Sequence, residues 1–278
     1  MVKVQIIIIW LVLTAVFTAA ACLLPCELPL AFDWLHFFEN AHNIPAFYPP
    51  WTGFVCRFLT WPLLVGLTLS TYAVAVMKRA RSVASAIAAF ATMPLWWCLF
   101  LGQLDGLALL GVMGLPWLVP LALMKPQVAC WAILARRKYI VVAVCFVLLS
   151  FAFWGFWPVK LLAYHVGRTG GLGHAGYIGL GLRGLLLAIL ALCLIPGWGT
   201  DKLMLAGAFV TPALIPYQLL PLMPAIAGMP WWLAWIVAIA TWSPVILSGD
   251  MDLASNWDWL SMWVSVLLIG AGLARRNE

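Results

Sequence analysis

Apolar runs long enough to cross a lipid bilayer fill most of this chain, and clusters of basic residues stand at their ends. The first run covers residues 4–24 and follows a single Lys3, and about 20 apolar residues are enough for a transmembrane helix. Later runs end at the clusters 78–81, 136–138 and 275–276. Because Lys and Arg concentrate on the cytoplasmic side of membrane proteins, this pattern predicts that both termini and the turns between are cytoplasmic.

The scarcity of charged residues sets the class of protein. Hydrophobic residues make up 65% of the 278 residues and charged residues 9%, whereas soluble domains are about one quarter charged. We therefore expect an all-α, polytopic protein of the cell inner (cytoplasmic) membrane, folded as a single membrane domain over residues 1–278. The net charge of +6 lies in the clusters at the ends of runs, so it does not indicate nucleic-acid binding.

Prolines divide several of the apolar runs into pieces. Region 102–135 contains Pro116, Pro120 and Pro126, and each proline removes a backbone hydrogen bond from a helix. Broken helices are tolerated at membrane depth only inside protein or beside a cavity. We therefore expect a bundle of about 10–12 helices, several of them half-length, with a broken-helix region at 102–135.

Tryptophan and cysteine give indirect information about the surroundings of the chain. Many of the 18 tryptophans stand at the ends of apolar runs, as is typical of the belts that contact membrane lipids at headgroup level. The seven cysteines have no paired spacing, and the sequence shows no metal-ligand spacing. We therefore expect neither a metal nor a cofactor.

The first outer loop, residues 25–50, is the most polar part of the N-terminal half. In so apolar a chain, each ionisable group is a candidate for function. The loop closes on Tyr48, Pro49 and Pro50. Its polar and ionisable residues beyond position 30 are Asp33, His36, Glu39, Asn40, His42 and Asn43.

This loop and four later pieces occur in an order that resembles a known family. The pieces are DWLHFFENAHNIPAFYPPW, GQLDGL, LALMKPQ, ILARRK and TPALIPYQLL. Their order and spacing resemble the GT-C superfamily of membrane glycosyltransferases. Within it they are most similar to the polyprenol-phosphate-mannose-dependent glycosyltransferase family 87, in shortened form. The resemblance covers mainly residues 1–140, with a weaker similarity at 203–224, and implies a GT-C-like helix bundle.

The resemblance implies an integral-membrane glycosyltransferase that uses a polyprenyl-phosphate-linked sugar donor. A mannose-like sugar would move to a lipid or glycan acceptor on the non-cytoplasmic face. Inversion at the anomeric carbon needs a general base on the acceptor hydroxyl, and Asp33 stands where the family keeps it, with Glu39 as a lesser candidate. Alternatively, Asp33 caps a short helix that starts at Trp34, since Asp is a good N-cap residue.

The resemblance also implies a set of substrate-binding residues. His36, His42 and Tyr48 would belong to the substrate loop, although Tyr48 could instead form a rigid interfacial turn. The residues that would bind the donor phosphate are Lys125, His165, Arg168 and Gln103.

Each of these donor-phosphate candidates has a structural alternative. A lysine at membrane depth is expensive unless it is paired, so Lys125 could instead pair with Asp105. Gln103 and Asp105 could cap or join helices. The basic residues of the outer loop 157–176, which contains His165, could interact with anionic lipid headgroups.

The sequence leaves two other functions open. The chain could be a non-catalytic GT-C-like scaffold that packs with partner subunits in a larger membrane complex. It could also be a lipid or small-molecule transporter, which requires a path to both membrane faces. Convergence of Asp33, Lys125 and the 165–174 segment on one cavity would favour the transferase over the scaffold.

Overall fold

The computed structural model describes residues 3–39, 48–161, 181–211, 214–248 and 259–275, and every regular element in these ranges is helical. The described residues include fourteen α-helices, a π-helical turn at Trp34–Phe38 and two 3-10 segments at Cys130–Ala135 and Pro216–Gly228, and residues 157–161 are also helical. In chain order the α-helices are α1 (Lys3–Ala21), α2 (Trp51–Cys56), α3 (Trp61–Met77), α4 (Val83–Phe90), α5 (Met93–Leu101), α6 (Asp105–Met113), α7 (Val119–Ala122), α8 (Pro126–Ala129), α9 (Arg137–Trp154), α10 (Gly181–Leu194), α11 (Thr200–Val210), α12 (Trp231–Thr241), α13 (Ser243–Ser248) and α14 (Trp259–Arg275).

Two helices in the described ranges are long and apolar enough to cross a membrane on their own. They cover Val4–Ala21 in α1 and Arg137–Trp154, which is α9. Helices α4 and α5 meet the same criterion together but are bent by 42° at the short break between them, so they would add one broken span. The chain is therefore all-helical where it is described, and these few apolar helices are compatible with membrane association.

The prediction of ten to twelve helices was too low, because prolines divide the chain more finely than expected. Helix α5 restarts at Met93 with Pro94 in its first turn, and the polypeptide bends there. In the broken-helix region, Pro120 and Pro126 each stand in the first turn of a helix of only four residues. Proline fits the first turn of a helix, where its missing N–H is not needed, so each restart begins a separate short helix.

Helix α1 packs along α3 through small and hydroxyl-bearing residues. The Trp10 indole N–H donates to the Thr71 hydroxyl at 3.0 Å, and the Thr14 hydroxyl donates to the Ser70 hydroxyl at 2.7 Å. Gly66 lets the two backbones approach closely, because a Cβ built there would lie 2.9 Å from the Thr14 carbonyl oxygen. Small residues and hydroxyls are the usual means of joining helices in a membrane.

The faces of α1 and α9 that point away from the protein are apolar and exposed. No other part of the described chain covers them, as expected for surfaces that contact lipid acyl chains. The exposed apolar residues are Val4, Ile7, Ile8, Leu11, Val12 and Val16 on α1, and Val141, Val144, Leu148, Leu149 and Phe153 on α9.

The 3-10 segment Pro216–Gly228 forms the centre of the bundle. All 13 of its residues are buried, and it contacts α4, α5 and α6. Its first turn is closed by the Gln218 side chain, whose Oε1 accepts from the Ile215 N–H at 2.9 Å. Pro221 and Pro224 lie inside the segment and prevent a regular α-helix. This segment carries Tyr217 into the protein interior.

We predict that Gly66→Val destabilises the protein by separating α1 from α3. The new side chain would meet the Thr18 hydroxyl and the backbone of Thr14, and overpacking of this kind costs about 1–3 kcal/mol. The matched control is Gly199→Val, because Gly199 has open space around it and an extended backbone at φ −120°. Thermal unfolding in detergent measures both variants, and equal midpoints would contradict the described α1–α3 packing.

Candidate functional site

The buried ammonium group of Lys125 lies at the centre of a group of polar residues in the interior. Lys125 is only 3% exposed, and its Nζ donates to Gln103 Oε1 at 2.6 Å. The same Nζ lies 3.8 Å from Asp105 Oδ2. The rings of Tyr48 and Tyr217 have their centroids 4.8 Å and 5.1 Å from it, which are cation–π distances.

Gln103 connects this ammonium to Asp33. Its Nε2 donates to Asp33 Oδ2, while its Oε1 accepts from Lys125. An ammonium can only donate and a carboxylate can only accept, so the two partners fix the orientation of the amide between them. We call the connected residues the polar cluster; its members are Asp33, Tyr48, Gln103, Asp105, Lys125 and Tyr217.

Asp33 does not cap a helix, so the alternative interpretation from sequence was wrong. It precedes the π-helical turn Trp34–Phe38, but its own backbone is helical and its side chain makes no capping hydrogen bond. The turn is anchored by the buried rings of Trp34 and Phe38. The Asp33 carboxylate accepts a hydrogen bond from Gln103 instead. Asp33 and Tyr48 are both half-buried, whereas Lys125, Gln103 and Asp105 are buried.

The junction between α5 and α6 positions Gln103 and Asp105. Gly102 ends α5 with a positive φ of 72°, a conformation that favours glycine. A Cβ at Gly102 would also lie 2.7 Å from the Trp34 Cβ, so glycine is needed for close packing as well. The chain then turns at once into α6, whose first residue is Asp105. Gly106 packs against Thr68 of α3 and holds this end of α6 in place.

The break between α7 and α8 positions Lys125. Lys125 directly precedes Pro126, and its backbone leaves the helical region with φ −127° and ψ 79°. A residue before proline is pushed out of the α region by steric contact with the proline ring. The break therefore lets the lysine side chain leave the helix path and enter the polar cluster.

Burial and the neighbouring groups act in opposite directions on Asp33. Burial raises the pKa of its carboxyl above the ordinary value, while the hydrogen bond from Gln103 and the charges of Lys125 and His36 lower it. The net effect is a raised pKa. A carboxylate with a raised pKa is a better proton acceptor than an ordinary surface aspartate.

An amphiphilic cleft adjoins the polar cluster. Its volume is about 340 Å³, and Tyr48 belongs both to the cleft wall and to the cluster. No acidic residue is found among the described residues that line the cleft. The lining residues are Tyr48, Pro50, Gly53, Phe54, Arg57, Trp154, Trp157, Lys160 and Leu161.

Of the other site residues predicted from sequence, the two that the structure describes, His36 and Glu39, do not join the polar cluster. His36 is exposed and stacks on Phe32 at 4.2 Å, with its Nδ1 2.8 Å from the Phe32 carbonyl oxygen. Glu39 is exposed at the end of the π-helical turn and makes no hydrogen bond or ion pair with the cluster. The remaining predicted residues, His42, His165 and Arg168, lie outside the described residues.

Sequence reasoning did not assign Tyr217 to the site. The residue lies in the piece TPALIPYQLL, where a single tyrosine between Pro216 and Gln218 interrupts an apolar stretch. That interruption was the only available signal. The contact with Lys125 depends on the buried 3-10 segment, which the sequence pattern did not predict.

No protein-family model, no curated protein and no solved structure matches this chain. The polar cluster is therefore interpreted from its own geometry and from the resemblance of the sequence pieces that supply it. Among the described residues, no group of three or more His, Cys, Asp or Glu could hold a metal ion.

We predict that Lys125 and Asp105 are energetically coupled. Asp105 Oδ2 is buried and has no hydrogen-bond partner among the described residues, so the Lys125 ammonium is what compensates its charge. Lys125→Met should destabilise the protein by about 3–5 kcal/mol, because removing one partner leaves a buried uncompensated charge. Adding Asp105→Asn to Lys125→Met should restore at least half of the loss.

The measurement is a double-mutant cycle from chemical unfolding in detergent. The single variant Asp105→Asn supplies the fourth corner of the cycle. Additive losses for the two substitutions would show that the carboxylate and the ammonium do not compensate each other.

Proposed function

We propose that this chain is an integral-membrane glycosyltransferase that moves a mannose-like sugar from a polyprenyl-phosphate donor to a lipid or glycan acceptor. The observation that supports this proposal most is that separate pieces of the sequence meet at one place in the fold. The sequence pieces that resemble family 87 are far apart in the chain, yet four of the five supply residues to one polar cluster. Those residues are Asp33, Tyr48, Gln103, Asp105, Lys125 and Tyr217.

In this proposal Asp33 is the general base. Gln103 holds its Oδ2, which leaves Oδ1 to accept the proton of the acceptor hydroxyl. The hydroxyl oxygen attacks the anomeric carbon as the bond to the donor phosphate breaks, so the sugar is transferred with inversion. The polyprenyl phosphate leaves with the bonding electrons, and its charge needs cations and hydrogen-bond donors rather than a metal.

Lys125 and Gln103 position the base in this proposal and do not contact the donor phosphate. Lys125 is buried and already directs its ammonium to Gln103 and Asp105. A phosphate would have to displace these partners and leave Asp105 uncompensated. In this proposal other cations bind the donor phosphate, and the predicted ligands His165 and Arg168 stay candidates for that role.

The membrane setting is part of the proposal. The exposed apolar faces of α1 and α9 support a multi-pass protein of the inner membrane with both termini cytoplasmic. The donor chain would then lie in the same lipid layer as the protein. The transfer would take place on the non-cytoplasmic face, to which the loop with Asp33 is assigned.

Asp33→Asn is the direct test of the general base. Turnover should fall by about 10²–10⁴, the usual contribution of a positioned acid or base. The amide can still accept the Gln103 hydrogen bond, so the fold should be retained. The assay is sugar transfer from a polyprenyl-phosphate donor in membranes that hold equal amounts of each variant.

Glu39→Gln serves as the matched control, because Glu39 is exposed six residues from Asp33 and does not contact the cluster. It should keep near-normal turnover. Full activity in Asp33→Asn together with a loss in Glu39→Gln would transfer the role to Glu39. Absence of transfer by the unaltered protein with several donors would favour a scaffold within a larger membrane complex.

The pH dependence of turnover tests the role of Gln103. Only the carboxylate form of Asp33 can accept the proton, so turnover should rise as pH rises through its pKa. Gln103→Met removes the strongest influence that lowers the pKa of Asp33. The rising limb of the curve of turnover against pH should therefore move to higher pH. Lys125 and His36 still lower the pKa in the variant, which limits the shift.

Gln127→Met is the control for this shift. Its side-chain oxygen has no hydrogen-bond partner among the described residues, and it lies two residues from Lys125 in the chain. In Gln127→Met the rising limb of the curve of turnover against pH should lie at the same pH as in the unaltered protein. An unmoved limb in Gln103→Met would show that Asp33 is not the group that titrates.

A further inference from the structure

The amphiphilic cleft has a rigid aromatic wall. Trp51 stands behind it, held by a hydrogen bond from its indole N–H to the Pro120 carbonyl oxygen at 2.9 Å. The Trp157 ring packs edge-on against Trp51 at 5.2 Å, and its own N–H donates to the Ser150 hydroxyl at 2.9 Å. Both indoles have their polar atom satisfied inside the protein, so Trp157 offers the cleft an apolar surface.

The same cleft carries two cations and no anion among its described lining residues. Arg57 and Lys160 are both exposed, and neither forms an ion pair with another described residue. This distinguishes them from Lys125 and Arg79, whose charges are paired with Asp105 and Asp201. As far as the described residues go, the cleft therefore presents two cations without a carboxylate partner beside an aromatic surface.

The apolar surface continues out of the cleft. Phe54 lines it and packs edge-on against Phe58 at 5.2 Å, and Phe58 is 70% exposed. The volume of about 340 Å³ lies at the small end of ligand sites, which run from about 300 to 1,000 Å³. It can hold a headgroup and the first part of a chain, while the rest of a long chain would pass over the exposed rings.

From this combination we propose that the cleft binds a long-chain lipid that ends in a phosphate monoester. A phosphate monoester carries a charge of about −1.5 to −2 at neutral pH, which matches the two cations better than the single charge of a phosphodiester. The guanidinium of Arg57 binds phosphate oxygens through two N–H groups, and the Lys160 ammonium adds a point charge. The chain packs along Phe54 and Trp157.

This inference deepens the proposed transferase and rests on it for the biological role of the lipid. Transfer of a sugar from a polyprenyl phosphate turns a phosphodiester into a phosphate monoester, so the cleft would bind the lipid product. Tyr48 joins the cleft to the polar cluster, which contains the proposed base. Binding itself can be measured without any sugar transfer.

The test is native mass spectrometry of the detergent-solubilised full chain with four lipids. These are a polyprenyl monophosphate, dioleoyl phosphatidic acid, dioleoyl phosphatidylglycerol and dioleoyl phosphatidylcholine. We expect the two monoesters to bind more tightly than the diester phosphatidylglycerol, and phosphatidylcholine to bind weakest. The double variant Arg57→Gln/Lys160→Gln should bind the monoesters about tenfold more weakly.

The matched control is Lys78→Gln/Arg137→Gln, which removes one lysine and one arginine that are exposed elsewhere. It should bind the monoesters as the unaltered protein does. An equal loss in both double variants would show that overall charge, not the cleft, attracts the lipid, and would overturn the proposal. Equal binding of phosphatidylcholine and phosphatidic acid would overturn it too.

The two monoesters identify the source of the ligand. Tighter binding of the polyprenyl monophosphate supports a product site, and equal binding supports a site for any lipid phosphate monoester. The outcome is separable from that of the proposed function. If the unaltered protein binds monoesters but transfers no sugar, the lipid site stands and the transferase proposal fails. If the unaltered protein transfers sugar and Arg57→Gln/Lys160→Gln still binds monoesters normally, the lipid site is overturned and the transferase proposal stands.

Discussion

The compensation of one buried charge, that of Lys125, governs the arrangement of the interior. Removing an ammonium from water is unfavourable by several kcal/mol unless partners replace the lost hydration. Here the partners are Gln103, Asp105 and the rings of two tyrosines. They come from the α5–α6 junction, the end of the first loop and the buried 3-10 segment. Lys125 can be buried only if these separate segments meet around it.

Gln103 links the buried Lys125 ammonium to the half-buried Asp33. One end of its amide is held by the ammonium and the other by the Asp33 carboxylate, so the amide cannot flip without losing both. Asp33 is partly exposed while Lys125 is not. The connected residues therefore form a polar path from the buried Lys125 to the half-buried Asp33, and they fix the Asp33 carboxylate at its outer end.

The scarcity of charge explains how much of this site could be predicted from sequence. With so few ionisable residues, Asp33 and Lys125 were prominent, and the pairing of Lys125 with Asp105 was among the expected alternatives. Helix boundaries were harder, because a proline marks a break but does not set the length of the next helix. The contact of Tyr217 depends on a buried 3-10 segment, whose stability comes from packing rather than from local sequence.

The different surroundings of the cations decide which of them can bind an anion. Lys125 already has protein partners for its charge, and a phosphate that took its place would leave Asp105 buried and uncompensated. Arg57 and Lys160 are exposed without a carboxylate partner in the described chain, so binding an anion breaks no existing pair. From sequence alone, a donor phosphate and Asp105 were both open as the partner of Lys125, because the sequence could not show this difference. In our proposals the interior cation therefore positions Asp33, and the surface cations bind the lipid phosphate.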